Sequence, residues 1–356
     1  MSDRVMSVLA PVAAATDQPG AGAGPIDPDL PSHVGKYEVR ARLGEGATSE
    51  VFLAHDPFGG REVAIKRVKT GFAADTRDGH FQQRFFAAEA ALVGRLQHPN
   101  IVQILDAVAD PQGPYLVMEY VPGQTLRRYC RADALLPLDQ IVEIGFKCAM
   151  ALGYVFRQGL IHRDVKPANI IAMADGGHVV DVKITDFGSV FNLQSEQTQV
   201  HRVGSLAYMS PEQLNGDPLD CRADIYSLSA VLYHLIAGRP PFDATQQAAI
   251  MHQICHLEPP SLAALREGVT PALEQVVRWG LAKSPADRPA DWDTFSQALS
   301  KLVANQDVPR GPLQGVLDSE RFGLLRGLDF FRGFGDVELW EVVHRAQWTR
   351  LPFGAA

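Results

Sequence analysis

Cysteine is scarce: four occur in 356 residues, at Cys130, Cys148, Cys221 and Cys255. No two share the close spacing of a metal knuckle or a redox pair. That argues against a zinc module or a thioredoxin-like motif, and it points to reduced thiols and a cytoplasmic setting. Basic residues are also in deficit, with Lys plus Arg at 33 against 41 Asp plus Glu and a formal net charge of -8. A chain of that balance is not built mainly to wrap nucleic acid or to lie on an anionic membrane. It has no unbroken apolar run of about 18 residues, so nothing is expected to span a bilayer. What remains is ordinary globular usage, 46% hydrophobic and 21% charged, enough for a sizeable core. The length suits two ordinary domains or one large two-lobed one.

Residues 1–35 are rich in Ala, Pro and Gly and are expected to form a disordered, solvated leader. The mildly apolar stretch Val5 to Ala15 mimics a secretory signal, but Pro11 interrupts it and Arg4 is the one basic residue before it. Order is expected from Tyr37. YEVRARLG, SEVFLAHD and REVAIKRV alternate like half-buried strands, and IVQILDAV and PYLVMEYV add two more. Between them, residues 82–96 carry a helical stripe of Phe85, Ala88, Leu92 and Leu96. After Pro122–Gly123 the pattern turns mainly helical over 137–157, 222–237, 243–255 and 270–281, with short strands near 169–173 and 179–185. Residues 304–317 read as a linker, and a helical, aromatic tail occupies 318–356.

Four motifs carry chemistry. In LGEGATSEV, Leu43 to Val51, Gly44 and Gly46 remove side chains where a backbone can approach phosphates; a plain hairpin turn is the alternative. A strand follows it rather than a helix, which excludes the dinucleotide-binding arrangement. In VAIK, Lys66 lies in an apolar strand and needs a counter-ion, and Glu89 is the acidic residue of the next helix. In IHRDVKPANI, Asp164 can accept a hydroxyl proton and Asn169 can ligate a hard cation such as Mg²⁺. Asp186 of Asp186–Phe187–Gly188 ends a strand, where a carboxylate can hold a phosphate-bridging metal.

Together, and in this order, these motifs resemble a bacterial serine/threonine protein kinase of the eukaryotic-like type. HPNIV (98–102), VMEYVPGQTL (117–126), GSLAYMSPEQ (204–213), ADIYSLSAVLYHLIAGRPPF (223–242) and DRP (287–289) sit where that family has them. The resemblance implies an α+β, two-lobed fold over 36–303, with a small antiparallel lobe at 37–118 and a larger helical lobe at 122–303. It implies an ATP- and Mg²⁺-dependent enzyme acting on Ser/Thr hydroxyls of proteins.

Residue by residue, the resemblance puts the phosphate loop at Leu43, Gly44, Glu45, Gly46, Ala47, Thr48 and Ser49. It has Lys66 hold the ATP phosphates, Glu89 orient Lys66, Asp164 accept the substrate proton and Lys166 steady the transferred phosphate. Asn169 and Asp186 would bind Mg²⁺. Val51, Ala64, Met118, Glu119, Val121 and Ile171 would form the adenine pocket. His162 and Phe187, with Val93 and Ile104, would stack as a spine between the lobes, and Glu212 and Arg288 would form a buried pair. His162 as a general base is the alternative, but its apolar neighbour Ile161 favours a packed ring. Arg163 implies regulation by phosphorylation of the activation loop, with Thr198 first and Ser195 second as sites; a loop that orders without phosphate is the alternative.

Several positions depart from the family pattern. Ser49 replaces a glycine, Ser210 stands for Ala before Pro211, and Ser229 replaces a glycine in the helix after Asp224. The stretches Thr70 to His80 and Ala174 to Asp181 are longer than expected. None removes a catalytic group.

The tail resembles the opening of a cyclic-nucleotide-binding domain through LDFFRGFGD and LPFGA, with Leu324, Leu325, Leu328 and Phe331 on one stripe and Val337, Trp340, Val343 and His344 on another. That implies a shortened version of a longer protein whose barrel would hold the nucleotide. A helical pair packed on the large lobe is the alternative. Either way the aromatic surface of 318–349 is expected to serve self-association or a partner. A small-molecule kinase of related fold and a non-catalytic ATP-binding scaffold are the competing functions. GSLAYMSPEQ argues against the first, and the complete set of Lys66, Glu89, Asp164, Asn169 and Asp186 argues against the second.

Overall fold

Alternation decides the first lobe. In β4 (Arg61–Val68), Val63 and Ile65 point to an outer apolar cluster while Ala64 and Lys66 point to the opposite face. In β6 (Tyr115–Glu119), Tyr115 and Val117 join that outer cluster and Leu116 and Met118 face the main core. The computed structural model describes residues 30–46, 49–69, 86–110, 113–176, 178–189, 191–192, 206–311 and 316–348. Within them, β1 (His33–Val34), β2 (Tyr37–Glu45), β3 (Ser49–Asp56), β4, β5 (Ile104–Val108) and β6 form one antiparallel sheet, ordered β1-β2-β3-β4-β6-β5.

Order begins earlier than the expected Tyr37. Gly35, at φ +54, turns the chain so that Val34 pairs with Tyr37 and is buried. Residues 86–90 form α1, followed by turns to 95. Leu92 and Leu96 of its expected stripe are buried, while Phe85 lies outside the described residues. The strand expected from Ile101 starts at Ile104, because Ile101 makes an isolated parallel bridge with Ile184 instead.

The second lobe is built on α2 (Leu138–Arg157), whose residues from Leu138 to Gly153 are all buried. Around it lie α4 (Cys221–Ala237), α6 (Pro271–Gly280) and α7 (Trp292–Ala304), with α3 (Pro211–Asn215) and α5 (Gln247–His256) toward one end. The sequence pattern did not single out α7, although Asp291 caps it by accepting from the Thr294 N–H at 2.7 Å. Short strands β7 (Gln124–Thr125), β9 (Ile170–Asp175) and β10 (His178–Ile184) form a second sheet, and β8 (Leu160–Ile161) pairs with β11 (Phe191–Asn192). This is the two-lobed protein kinase architecture, α+β, with the cleft between β4–β6 and the loops around β8–β10.

Two departures are explained by local chemistry. Ser210 caps α3: its hydroxyl takes the Gln213 N–H while the Gln213 side chain takes the Ser210 N–H. Ser229 is accommodated opposite Gly280, where an added Cβ would sit 1.9 Å from Ser229 Oγ.

The segment 304–317 is pinned where it is described: Val308 is buried, Asp307 O accepts from Thr270 Oγ1 and Gly311 N donates to Asp139 at 2.6 Å. The tail folds as α8 (Asp318–Arg326) and α9 (Asp336–Arg345) against the large lobe. The expected stripes are buried only in part, at Leu325, Trp340 and Val343. Phe322 and Leu325 turn inward, whereas Leu324 and Leu328 are 60% and 52% exposed. The α8 face is set by Ser319, whose backbone and hydroxyl bond to buried Glu143. Trp340 is fully buried too, so the free aromatic surface shrinks to Phe330, 78% exposed, and its neighbours. The LPFGA segment lies outside the described residues. All four cysteines are free; burial pushes the Cys130, Cys148 and Cys221 thiols up to about 12, and Cys255 is partly exposed.

Candidate active site

Parity along β4 delivers Lys66 to the cleft, where its Nζ lies 3.0 and 2.9 Å from the two Glu89 carboxylate oxygens and 2.7 Å from Asp186 Oδ1. Burial opposes the ammonium charge, but Asp186 and Glu89 outweigh it and hold the Lys66 pKa above its ordinary value. One cation faces two carboxylates. Burial would raise Asp186, yet the closer Lys66 charge keeps it below the usual carboxylate range, while burial leaves Glu89 raised.

The loop after β8 carries the second half. Lys166 Nζ contacts Asp164 Oδ2 at 2.7 Å, and Asn169 Nδ2 donates to Asp164 O and Oδ2 at 2.9 and 3.1 Å. Burial raises the Asp164 pKa, partly offset by Lys166. A raised carboxylate is a better proton acceptor than a free one. The other amide atom, Asn169 Oδ1, is buried with no hydrogen-bond partner among the described residues. An orphaned carbonyl oxygen with the Asp186 carboxylate is a hard-oxygen pair that fits Mg²⁺, which takes one or two protein oxygens and completes its shell with phosphate and water.

Two residues of the site are held in the left-handed region, Arg163 at φ 67 and Asp186 at φ 66. Neither is glycine, so each conformation costs energy that its surroundings must supply. For Arg163 the support is Asp224, a residue that the motif reading left without a role. Its carboxylate accepts the His162 N–H at 2.7 Å and the Arg163 N–H at 2.8 Å, and Gln213 Nε2 donates to Arg163 O at 2.9 Å. The signal was available: an acid beside the mainly apolar run from Ile225 to Ile236 must find donors once that helix is buried. Burial lowers the Arg163 pKa, with Asp224 opposing.

His162 is a packed ring. It is fully buried, its Nε2 is 3.2 Å from Thr185 O, and it stands 4.8 Å from the Phe187 ring. Ile104 is buried and Val93 packs on the same core. Arg288 and Glu212 form a doubly bonded pair at 2.6 and 2.8 Å.

On the roof, Val51, Ala64 and Met118 are buried, Ala64 and Met118 being direct neighbours across β4–β6. Val121 is buried beyond them, and Leu43 and Ile171 line the same core in part. The Glu119 N–H is committed to Gln103 O at 2.9 Å, which leaves Glu119 its carbonyl to offer a base. Gly46 N donates to Ser49 O at 2.7 Å and closes the β2–β3 hairpin at its neck, with Ser49 buried; Gly44 and Glu45 belong to β2, where Glu45 pairs with Lys69. Ala47, Thr48, Ser195 and Thr198 lie outside the described residues.

The family model for the protein kinase domain matches residues 37–302. The chain is 37% identical over 306 residues to the serine/threonine-protein kinase PknB of Mycobacterium tuberculosis, covering 83% of this chain and 47% of the relative. It is 40% identical over 265 residues to a probable serine/threonine-protein kinase of Corynebacterium efficiens, covering 71% and 39%. A probable serine/threonine-protein kinase of Streptomyces coelicolor matches at 34% over 297 residues, covering 81% and 43%. The chain therefore spans less than half the length of these curated relatives.

Proposed function

The chain belongs to the protein kinase family, and from that premise we propose that it transfers the γ-phosphate of ATP to Ser/Thr hydroxyls of proteins. The observation that carries the reading is Lys66 clamped between Glu89 and Asp186 across the cleft from Asp164. Lys66 binds the α- and β-phosphates, and Glu89 fixes its direction. Adenine enters between Val51, Ala64 and Ile171, beneath the Gly44–Gly46 loop, with Met118 at the back and Glu119 and Val121 at the edge. Asp164 takes the hydroxyl proton as that oxygen bonds to the γ-phosphorus; the bond to the bridging oxygen breaks and ADP departs with its electron pair. Lys166 neutralises the transferred group. Asn169 Oδ1 and Asp186 would hold Mg²⁺, which when bound neutralises charge on the β- and γ-phosphates. The names of the relatives favour Ser/Thr protein substrates over small molecules.

A radiolabelled-ATP assay of the unmutated chain beside Asp164→Asn tests this. Label in the first and loss of most label in the second is expected. Equal labelling of both would overturn it.

Finer readings belong to the same proposal. Arg163 is the docking group for a phosphate on Thr198 or Ser195, and autophosphorylation there orders the loop; mapping label to neither residue would remove it. The resemblance of the tail to a cyclic-nucleotide-binding domain is supported by the helical pair α8 and α9. It assigns no nucleotide site. Self-association or partner binding would use the exposed Leu324, Leu328 and Phe330. A cytoplasmic location is proposed with it; no helix among the described residues is long and apolar enough to cross a membrane.

A further inference from the structure

The tail reaches β10, the strand before Asp186, through a buried amide as well as through the charged contacts of Lys147. Asn100 lies in the connection between α1 and β5, is fully buried, and ties three elements together. Its Nδ2 donates to Asp181 Oδ1 at 2.7 Å and to Val182 O at 2.8 Å, both on β10. Its Oδ1 accepts the indole N–H of Trp340, on α9, at 2.7 Å. The backbone continues the tie. Ile184 N donates to Asn100 O and Val102 N donates to Ile184 O, each at 2.8 Å. Ile184 ends β10 two residues before Asp186, whose backbone is left-handed at φ 66.

Trp340 is held for this task from the other side. Its ring stands 5.5 Å from Phe146 of α2 and 5.8 Å from Phe322 of α8, both edge-on. The helix pair is fastened by charge. Glu143 takes the Ser319 hydroxyl at 2.6 Å, and Lys147 bonds Asp318 at 2.9 Å and Asp181 at 3.2 Å. Burial opposes the Lys147 charge, and Asp181, Glu143 and Asp318 outweigh it. Buried charges in one array demand one docking geometry, so the tail does not slide on α2.

We infer that Trp340 is a positioning residue for phosphoryl transfer: through Asn100 it fixes the connection behind α1 and the strand that ends at Asp186. The inference rests on the kinase reading. A loss of the indole N–H would leave Asn100 Oδ1 buried and unpaired, and the amide would turn to find a donor, loosening its hold on Asp181 and Val182.

The test uses the full chain with Trp340→Phe, which keeps an aromatic ring against Phe146 and Phe322 and deletes the donor together with part of the ring volume. Expected is a fall in kcat of about tenfold, with KM for ATP and for a peptide changed less than about twofold, since small displacements of a reacting group act on the chemical step. Amide exchange at Val102 and Ile184 should quicken while α2 and α4 keep their protection. In an Asn100→Ala background, Trp340→Phe should add no further loss, because the link is already cut. Unchanged kcat with unchanged exchange at Ile184 overturns the inference. So does a loss that simply adds to that of Asn100→Ala, which would make Trp340 a packing residue alone. If the unmutated chain transfers no phosphate, the kinase reading fails, and the exchange at Ile184 still decides whether the link exists.

Discussion

Arg288 grips Glu212 with both guanidinium arms, at 2.6 and 2.8 Å, while its Nε donates to Ala282 O at 2.7 Å. Both side chains are almost wholly buried. The pair joins the helix that follows the activation segment to the turn before α7. Removing one partner strands the other charge, which typically costs roughly 3–5 kcal/mol. Arg288→Ala should therefore lower the urea midpoint sharply with little change in slope. Arg288→Lys should recover only part, because an ammonium cannot reproduce the two-armed geometry. A stability loss under about 1 kcal/mol for Arg288→Ala would mean that the pair is replaceable.

Glu89→Gln keeps the size of the side chain and removes its charge. Lys66 would then face Asp186 alone, and its ammonium would be drawn toward that carboxylate. Phosphate transfer should drop on the order of 100-fold, the cost of misplacing a positioned group, with unfolding little altered. Steady-state kinetics beside circular dichroism checks both halves.

His98 gives a pH dependence. Burial holds its pKa down at about 3, aided by His344, Arg157 and Lys183, so the ring is neutral in the fold. Unfolded, it takes a proton near pH 6.5. The stability it contributes is complete above that value and is lost as the pH falls from about 6.5 toward about 3, by roughly 1 kcal/mol per pH unit. His98→Asn keeps an acceptor for the Asn100 N–H, which His98 Nδ1 now takes at 3.1 Å. Urea unfolding between pH 7 and 4 should show a shallower acid slope in the variant. Parallel slopes would rule His98 out as a source of acid sensitivity.

Gly280 and Ser229 are complementary across α6 and α4. Gly280→Ala should destabilise by about 1–3 kcal/mol, since its Cβ would collide with Ser229 Oγ. Adding Ser229→Gly should restore much of that loss. A double-mutant cycle with no coupling would show that the helices simply part.

Much of this was legible in residue spacing. The parity of Ala64, Lys66 and Met118 and the order of the motifs carry the cleft, because alternation and fixed loops act over short range. What escaped reading depends on long-range contact. The α8 face was misjudged because Leu324 and Leu328 look like core, whereas Ser319 is what turns the helix by meeting Glu143. Asp139, Glu143 and Lys147 stand four apart on a buried helix, a polar stripe that signals a polar cover, yet nothing local says that the cover is Gly311, Asp318 and Ser319. Asp224 went unassigned for the same reason, its two donors lying about 60 residues upstream.

The distribution of thiols has a practical consequence. Three of the four are sealed in the large lobe, with pKa values near 12, and offer almost no thiolate to an electrophile. Cys255, half-exposed on α5 beside the segment that holds Leu206–Tyr208, is the one a maleimide dye would reach. The unmutated chain thus carries a ready fluorescence handle on α5, with no engineered cysteine needed.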